Sequence, residues 1–412
     1  MCEDEKGEEQ WQNFVDRRFF RSNFSLKFSN QQSLLTLKKG IVMKFYLTGG
    51  AVRDELLGNT VRDKDYIILD ANKDELLKMR FEPVGKDFEV YLHPKTKDEY
   101  TLAFENDLYK ELERRDLTVN SIAKDIQTGE YYDPFHGIED IQKKVLKHTS
   151  IFFSDDPIRL LRIARFACQY PDFEIHRDTL ELCRTLSINS DLFDSITGER
   201  YLLELKKALT LSNPRLFFER LREWGTLNLF FPELAQLWGV PQKQNFYPEG
   251  DRWIHTMLVL EKVCQLSQDF SVRFAALVLN LGMDDISSIK NISNRFKLDN
   301  YTKKLAVTVC KNHLNVDRVL ELKASTILKL LVDFNALREG RLFEDALVCC
   351  YAVAVRTGNK YRQKDFLLKL AIELKNLSLN DLLGKYKGDK LGEMIKLKRI
   401  MLIEEVKKSV LE

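Results

Sequence analysis

Apolar positions along the chain change their period near residue 155. Before it, the short apolar runs FYLT, DYIILD, FEVYLH and EYTLAF are divided by polar turns and predict strands. Helical spacing appears near Ala51–Leu57 and Lys73–Arg80. Together they predict a small α/β unit with a mainly antiparallel sheet. Beyond Asp155 the helical period runs almost throughout, and no proline follows Pro248, as a long all-helical remainder requires. Residues 1–42 are polar, mixed in charge and aperiodic. They are expected to be a dispensable extension, or to lie upstream of a true start at Met43. No internal repeat or low-complexity tract interrupts the pattern.

The stretch Phe45–Asp70, FYLTGGAVRDELLGNTVRDKDYIILD, reads as strand, glycine turn, short helix and second strand. Glycine at 49 and 50 lets the backbone approach a phosphate, and the N–H groups opening the next helix can bind one. Asp63 and Asp65 lie two apart at the start of the apolar run YIIL. Strand period therefore points both carboxylates to one face. Two acids beside a phosphate-binding turn suit a Mg²⁺–nucleotide site. Further on, Arg114-Arg115 is a fork-shaped cation pair able to grip phosphate or ribose. In SDDPIRLLRIARF, Pro157 suits a first helical turn with the acids before it as cap. Asp156 and Arg159 then share a face at i, i+3, where an acceptor and a donor can read the edge of a base, or simply pair with each other.

Composition narrows the field. Charged residues make up 31% of the 412, yet the net charge is only +2, which excludes a strongly basic wrapper of nucleic acid but leaves room for a local basic face. The seven cysteines form no CxxC pair and several sit in apolar helical text, so reduced, buried thiols in a cytoplasmic protein are expected. No apolar run reaches membrane-spanning length, and no membrane partner is expected. His136 and His148 lie in turn and strand-end text and read as structural.

GGxVRDxLLG followed by DxD before an apolar strand resembles the signature of class II tRNA nucleotidyltransferases and the related bacterial poly(A) polymerases, within the DNA polymerase β superfamily. RRDLTVNSIA resembles the family's second motif, RRDxTxNA, with Ser121 in place of alanine. DDPIRLLRIARF looks like its nucleotide-selecting motif, and GERYLLELKKAL like its ERxxxELxKxL motif. Asp155 stands where the family has Glu, which shortens that side chain.

The resemblance implies an α+β fold: a small N-terminal nucleotidyltransferase head, polymerase β-like, followed by a helical neck, body and tail. The expected units are an extension 1–42, a catalytic head 43–145, a neck 146–210, a body 211–380 and a tail 381–412. It further implies catalytic roles for Asp63, Asp65 and Glu99, with Mg²⁺ on Asp63 and Asp65. Gly50, Arg53 and Arg115 would cradle the nucleotide, and Asp116 would support the site. Asp156 and Arg159 would select C and A over U and G, while Arg162 and Arg165 would neutralise the triphosphate or brace the fold. Glu199 and Arg200 are expected to pack rather than react. The partners implied are CTP, ATP and the 3′ end of tRNA, whose acceptor arm the body and the lysine-rich tail would hold. Oligomeric state is not legible.

Two departures matter. Residues 250–283 resemble an HD phosphohydrolase domain, but the His-Asp pair reads Leu279-Asn280 and the lysine expected after it is Met283. Of a ligand set only His255, and at most His313, survives, so no phosphohydrolase activity is expected. Between Phe104 and Arg114 the chain is also short. Relatives that add the terminal A carry a longer loop there, beginning with Arg. CCA addition is thus the reading, with a CC-adding enzyme, a poly(A) polymerase and a non-catalytic RNA-binding protein as alternatives.

Overall fold

The computed structural model describes residues 43–411, except 62, 85–89, 244–246, 283–285 and 355–360. The extension 1–42 and Met283 lie outside the described residues.

Seven strands form one sheet: β1 (Lys44–Thr48), β2 (Asp65–Leu69), β3 (Glu82–Val84), β4 (Val90–Leu92), β5 (Glu99–Leu102), β6 (Ala123–Asp125) and β7 (Tyr131–Tyr132). Their order is β3-β4-β5-β2-β1-β6-β7. Every pairing is antiparallel except β2 with β5, which run parallel with Asp65 opposite Glu99. The strands β3, β6 and β7 have two or three residues each, too few to show an alternating pattern in the sequence. Helices α1 (Gly50–Leu56), α2 (Lys73–Lys78) and α3 (Leu108–Glu113) lie between the strands, and α4 (Gly137–Lys143) follows β7. Local chemistry sets their starts. Asn72 and Glu75 form a reciprocal capping box on α2, Asp107 accepts the first free amides of α3, and Asp133 accepts those of α4.

Ile67 and Ile68 are both buried but belong to opposite faces of the sheet. Ile68 packs with Met43, Leu76, Phe81 and Tyr91, and Ile67 with Leu112 and Ala123. Period two thus places α2 on one side and α3 on the other.

A short parallel pair, β8 (Val145–Leu146) with β9 (Glu174–Ile175), precedes the helical remainder and interrupts it once. The helices there are α5 (Arg159–Gln169), α6 (Arg177–Ile188), α7 (Gly198–Leu209), α8 (Arg215–Glu223), α9 (Leu227–Phe230), α10 (Pro232–Ala235), α11 (Arg252–Leu266), α12 (Phe270–Val278), α13 (Ser287–Arg295), α14 (Asn300–Asp317), α15 (Ala324–Asp333), α16 (Leu342–Ala354), α17 (Arg362–Asn376), α18 (Asn380–Leu383) and α19 (Gly388–Leu411). One apolar core runs from Val52 of α1 through α5 and α7 to Val406 of α19. The first helix of the sheet unit therefore packs into the same core as the helices that follow. None of the helices among the described residues is long and apolar enough to cross a membrane.

The region resembling an HD domain is tied up internally. His255 is buried with Nδ1 2.5 Å from Glu249 Oε1. Asn280 donates to Thr256 Oγ1 at 2.8 Å, and His313 Nδ1 sits 3.0 Å from the Cys310 carbonyl. The six described cysteines are buried.

Candidate active site

Between the sheet and helices α5 and α7 lies a polar cavity of about 990 Å³. The glycine turn enters it first. Gly49 has φ 68° and ψ −135°, a conformation open to glycine and strained for other residues. A Cβ there would sit 3.6 Å from Nη1 of Arg115 and 3.7 Å from Oδ2 of Asp65, so turn, cation and carboxylate meet at one place.

The three acids share that end of the cavity. Asp65 opens β2 and Glu99 opens the parallel neighbour β5, side by side in register. Asp63 lies on the bend before β2, where strand period no longer applies, yet it also lines the cavity. Burial raises the Asp65 carboxyl, with Arg115 opposing and Asp63 adding to the rise. Burial likewise raises Glu99, helped by the charges of Asp65 and Asp63. In both groups burial is the leading cause and like charge adds to it. Among the described residues, no three of His, Cys, Asp and Glu converge closely enough to hold a metal ion by themselves. A pair of carboxylates completed by substrate phosphates and water is the donor set that Mg²⁺ favours, so the residues fit that ion.

The cations divide into two kinds. Arg53 is fixed by its neighbours: Nη1 donates to Asn120 Oδ1 at 2.6 Å, Nε to Asp54 Oδ1 at 3.0 Å, and the guanidinium lies over Phe166 and Tyr170. Gly50 abuts it, with space for a Cβ only 3.4 Å from Nη2. Arg162 binds Asp116 at 2.7 Å, and Arg165 binds the buried Glu204 at 2.7 Å. Burial would raise the Asp116 carboxyl, but Arg162, Asn120 and the Leu117 amide together hold it well below the usual carboxylate range. Arg162 and Arg165 line the cavity, yet each is already neutralised from within the protein. Arg115 is freer. Its nearest carboxylate, Glu111, is 3.7 Å away and its buried Nε finds no partner among the described residues.

Asp156 and Arg159 both line the cavity but are not bonded to each other through their side chains. Asp156 is in extended conformation before α5, which begins at Arg159, so the two do not share a helical face as the spacing predicts. The reason lies in their competing partners. Arg200 of α7 takes Asp156 Oδ2 at 2.5 Å, and the Ile158 amide takes Oδ1 at 3.3 Å. Arg159 instead donates Nη1 to the Phe152 carbonyl at 2.5 Å and Nη2 to the Arg114 carbonyl at 2.6 Å.

Arg200 is thus a residue that sequence reasoning assigned to packing and the structure places in the cavity wall. Leu203, Glu204 and Lys207 join it there. Their spacing of three, four and seven residues marks a single helical face, a signal that was present but reads equally well as a packing face. Glu199 points elsewhere and pairs with Lys297. His148 bonds Thr179 Oγ1 at 2.8 Å, and burial lowers its pKa. Ser121 is buried and satisfied by the Leu117 carbonyl and Thr149.

The stretch after Phe104 closes on itself. A single 3₁₀ turn, Phe104–Asn106, leads through Asp107 directly into α3, and Phe104 lies under the Arg114 guanidinium at 4.2 Å.

Residues 85–147 match the family model described as the poly A polymerase head domain. Residues 172–237 match one described as the probable RNA and SrmB-binding site of polymerase A. The chain is 37% identical to the multifunctional CCA protein of Psychromonas ingrahamii over 406 positions, covering 89% of this chain and 99% of that protein. It is also 37% identical to the multifunctional CCA protein of an Acinetobacter baumannii strain over 405 positions, covering 89% and 98%. Among solved structures it resembles a CCA-adding enzyme in complex with CTP, with TM-score 0.63, 23% identity and coverage of 90% and 91%. It resembles equally the Thermotoga maritima CCA-adding enzyme complexed with tRNA, with TM-score 0.63, 20% identity and the same coverage. At that identity the likeness speaks to the fold.

Proposed function

Since the chain belongs to the class II CCA-adding enzyme family, we propose that it is a template-independent tRNA nucleotidyltransferase that builds the 3′-terminal CCA from CTP and ATP and releases pyrophosphate. The observation that carries this reading is one cavity lined both by Asp63, Asp65 and Glu99 and by Asp156 and Arg159.

Nucleotidyl transfer of this kind uses divalent metal, and Asp63 and Asp65 are the residues that would hold it. Mg²⁺ held there would supply Lewis-acid activation of the terminal 3′-hydroxyl and charge neutralisation of the pyrophosphate leaving group. The protein's own groups do the rest. The turn at Gly49-Gly50 admits the triphosphate, and Arg115, whose contact with Glu111 is a long 3.7 Å, offers it a guanidinium. Glu99 adds negative charge beside Asp65, which favours cation binding at that edge. Asp156 accepts and Arg159 donates at the base, each held from behind by Arg200 or by backbone carbonyls. Arg53, Arg162 and Arg165 act as braces that join α1, the RRD segment, α5 and α7. The proposed setting is the cytoplasm, where tRNA matures.

One observation favours a second reading, a CC-adding enzyme. The segment Phe104–Glu113 is a turn and a six-residue helix, which leaves no long loop to reshape the pocket after the second cytidine. The test is tRNA lacking CCA, incubated with labelled CTP or ATP, singly and together. C, C, A indicates the full enzyme and two cytidines alone the CC-adding type. Long A tracts would indicate a polymerase, and no incorporation a binding protein.

A further inference from the structure

A nucleoside triphosphate brings several negative charges into the cavity, and most of the cations lining it are already committed. Arg53 is bonded to Asp54 and Asn120, Arg162 and Arg165 to Asp116 and Glu204, and Arg200 to Asp156. Arg159 is held by two carbonyls and directed to the base, and Arg114 lies over Phe104. Two are held less tightly: Arg115, 3.7 Å from Glu111, and Lys207 on α7. Among the described residues the Lys207 ammonium has no hydrogen bond or ion pair, although it lines the cavity with Asp63, Asp65 and Glu99. Its charge is felt at both Asp65 and Glu99. Lys207 and Arg200 are seven residues apart, two turns on one face and about 10 Å along the axis. Helix α7 therefore runs from the base-selecting end of the cavity, where Arg200 holds Asp156, to the carboxylate end, where Lys207 stands.

We propose that Lys207 is a nucleotide-binding residue, its ammonium taking a β- or γ-phosphate oxygen of the incoming triphosphate beside Asp63 and Asp65. The same helix then governs both ends of the nucleotide: the base through Arg200 and Asp156, the triphosphate through Lys207. A compact ammonium on a flexible stem suits a phosphate whose position shifts as pyrophosphate leaves.

This inference rests on the reading of the chain as a CTP-using nucleotidyltransferase, and the experiment separates the two. Binding of CTP and of CMP to the full chain is measured with Mg²⁺ for the wild type, K207M and K207R. CTP binding should weaken about tenfold in K207M, the loss of one hydrogen bond between charged groups. CMP binding should be unchanged, and K207R should recover most of the loss. A merely structural role would weaken CTP and CMP together, and that result, or unaltered CTP binding in K207M, overturns the proposal. Lys207 is open to the cavity, and K207Q serves as the second variant if K207M does not fold. Cytidylate transfer to tRNA by the wild type reads the function separately. If CTP binds through Lys207 without transfer, the residue assignment stands and the enzyme reading falls. If the wild type does not bind CTP, both fall.

Discussion

Arg162 of α5 donates through Nε to Oδ2 of Asp116 at 2.7 Å, linking the segment after α3 to the first long helix beyond the sheet. The same carboxylate accepts from the Asn120 side chain and the Leu117 amide. Removing one partner of such a buried pair leaves the other charge uncompensated, so D116A should lose about 3–5 kcal/mol of stability by urea denaturation. The folded Asp116 carboxyl titrates below the ordinary range. Its contribution is therefore fully present above about pH 4 and is lost as the pH falls towards the folded value. Between pH 7 and pH 3 the urea midpoint of the wild type should drop further than that of D116N. Equal drops would show that the pair is not a stabilising link.

Asp63 lies outside the strand and in the cavity, open to solvent. D63N should abolish nucleotide incorporation at every Mg²⁺ concentration while leaving tRNA affinity within about twofold, since surface substitutions away from the binding face change little. Gel-shift and incorporation assays on the same preparation check both halves. Near-normal turnover in D63N would remove Asp63 from the metal site.

Arg200 holds Asp156 at 2.5 Å. R200M should leave the fold intact but free the Asp156 carboxylate to swing. Selection of CTP over UTP, measured as the ratio of kcat/KM values, should then fall about tenfold or more, as misplacement of a positioning group does. Unchanged selection would place the base elsewhere.

At Gly49, φ of 68° with ψ of −135° is strained for any residue with a Cβ. The neighbours at 3.6 and 3.7 Å leave ordinary contact space, so the strain is conformational rather than steric. G49A should lower stability by about 1–3 kcal/mol and should also slow transfer, because Arg115 and Asp65 border the same point. Wild-type melting temperature and rate together would show that the turn tolerates a side chain.

Much of this site is legible in the sequence because its parts are local. The glycine pair, the two aspartates and the RRD segment each place their groups through a few neighbouring residues, and strand order then brings them together. The change of period near residue 155 likewise marks where the sheet gives way to helices. What stayed hidden depends on partners distant in sequence. Eight arginines stand from position 53 to position 165. Only Glu204 and Asp116 decide that two of them are braces, and Glu204 is 39 residues from Arg165. Spacing alone pairs Asp156 with Arg159, whereas Arg200, 44 residues away, takes the carboxylate. Strands of two or three residues carry no period to read. The parallel register of Asp65 with Glu99 follows from β5 returning beside β2, which no local pattern encodes.

The anchors of Arg159 are main-chain oxygens of residues 152 and 114. Every amino acid supplies a carbonyl, so exchange of the side chains at those two positions leaves the grip on the guanidinium intact. A template made of nucleic acid is copied with errors. On the proposed reading Arg159 is the donor side of base choice, and substitutions at positions 152 and 114 reach its placement only by moving the backbone.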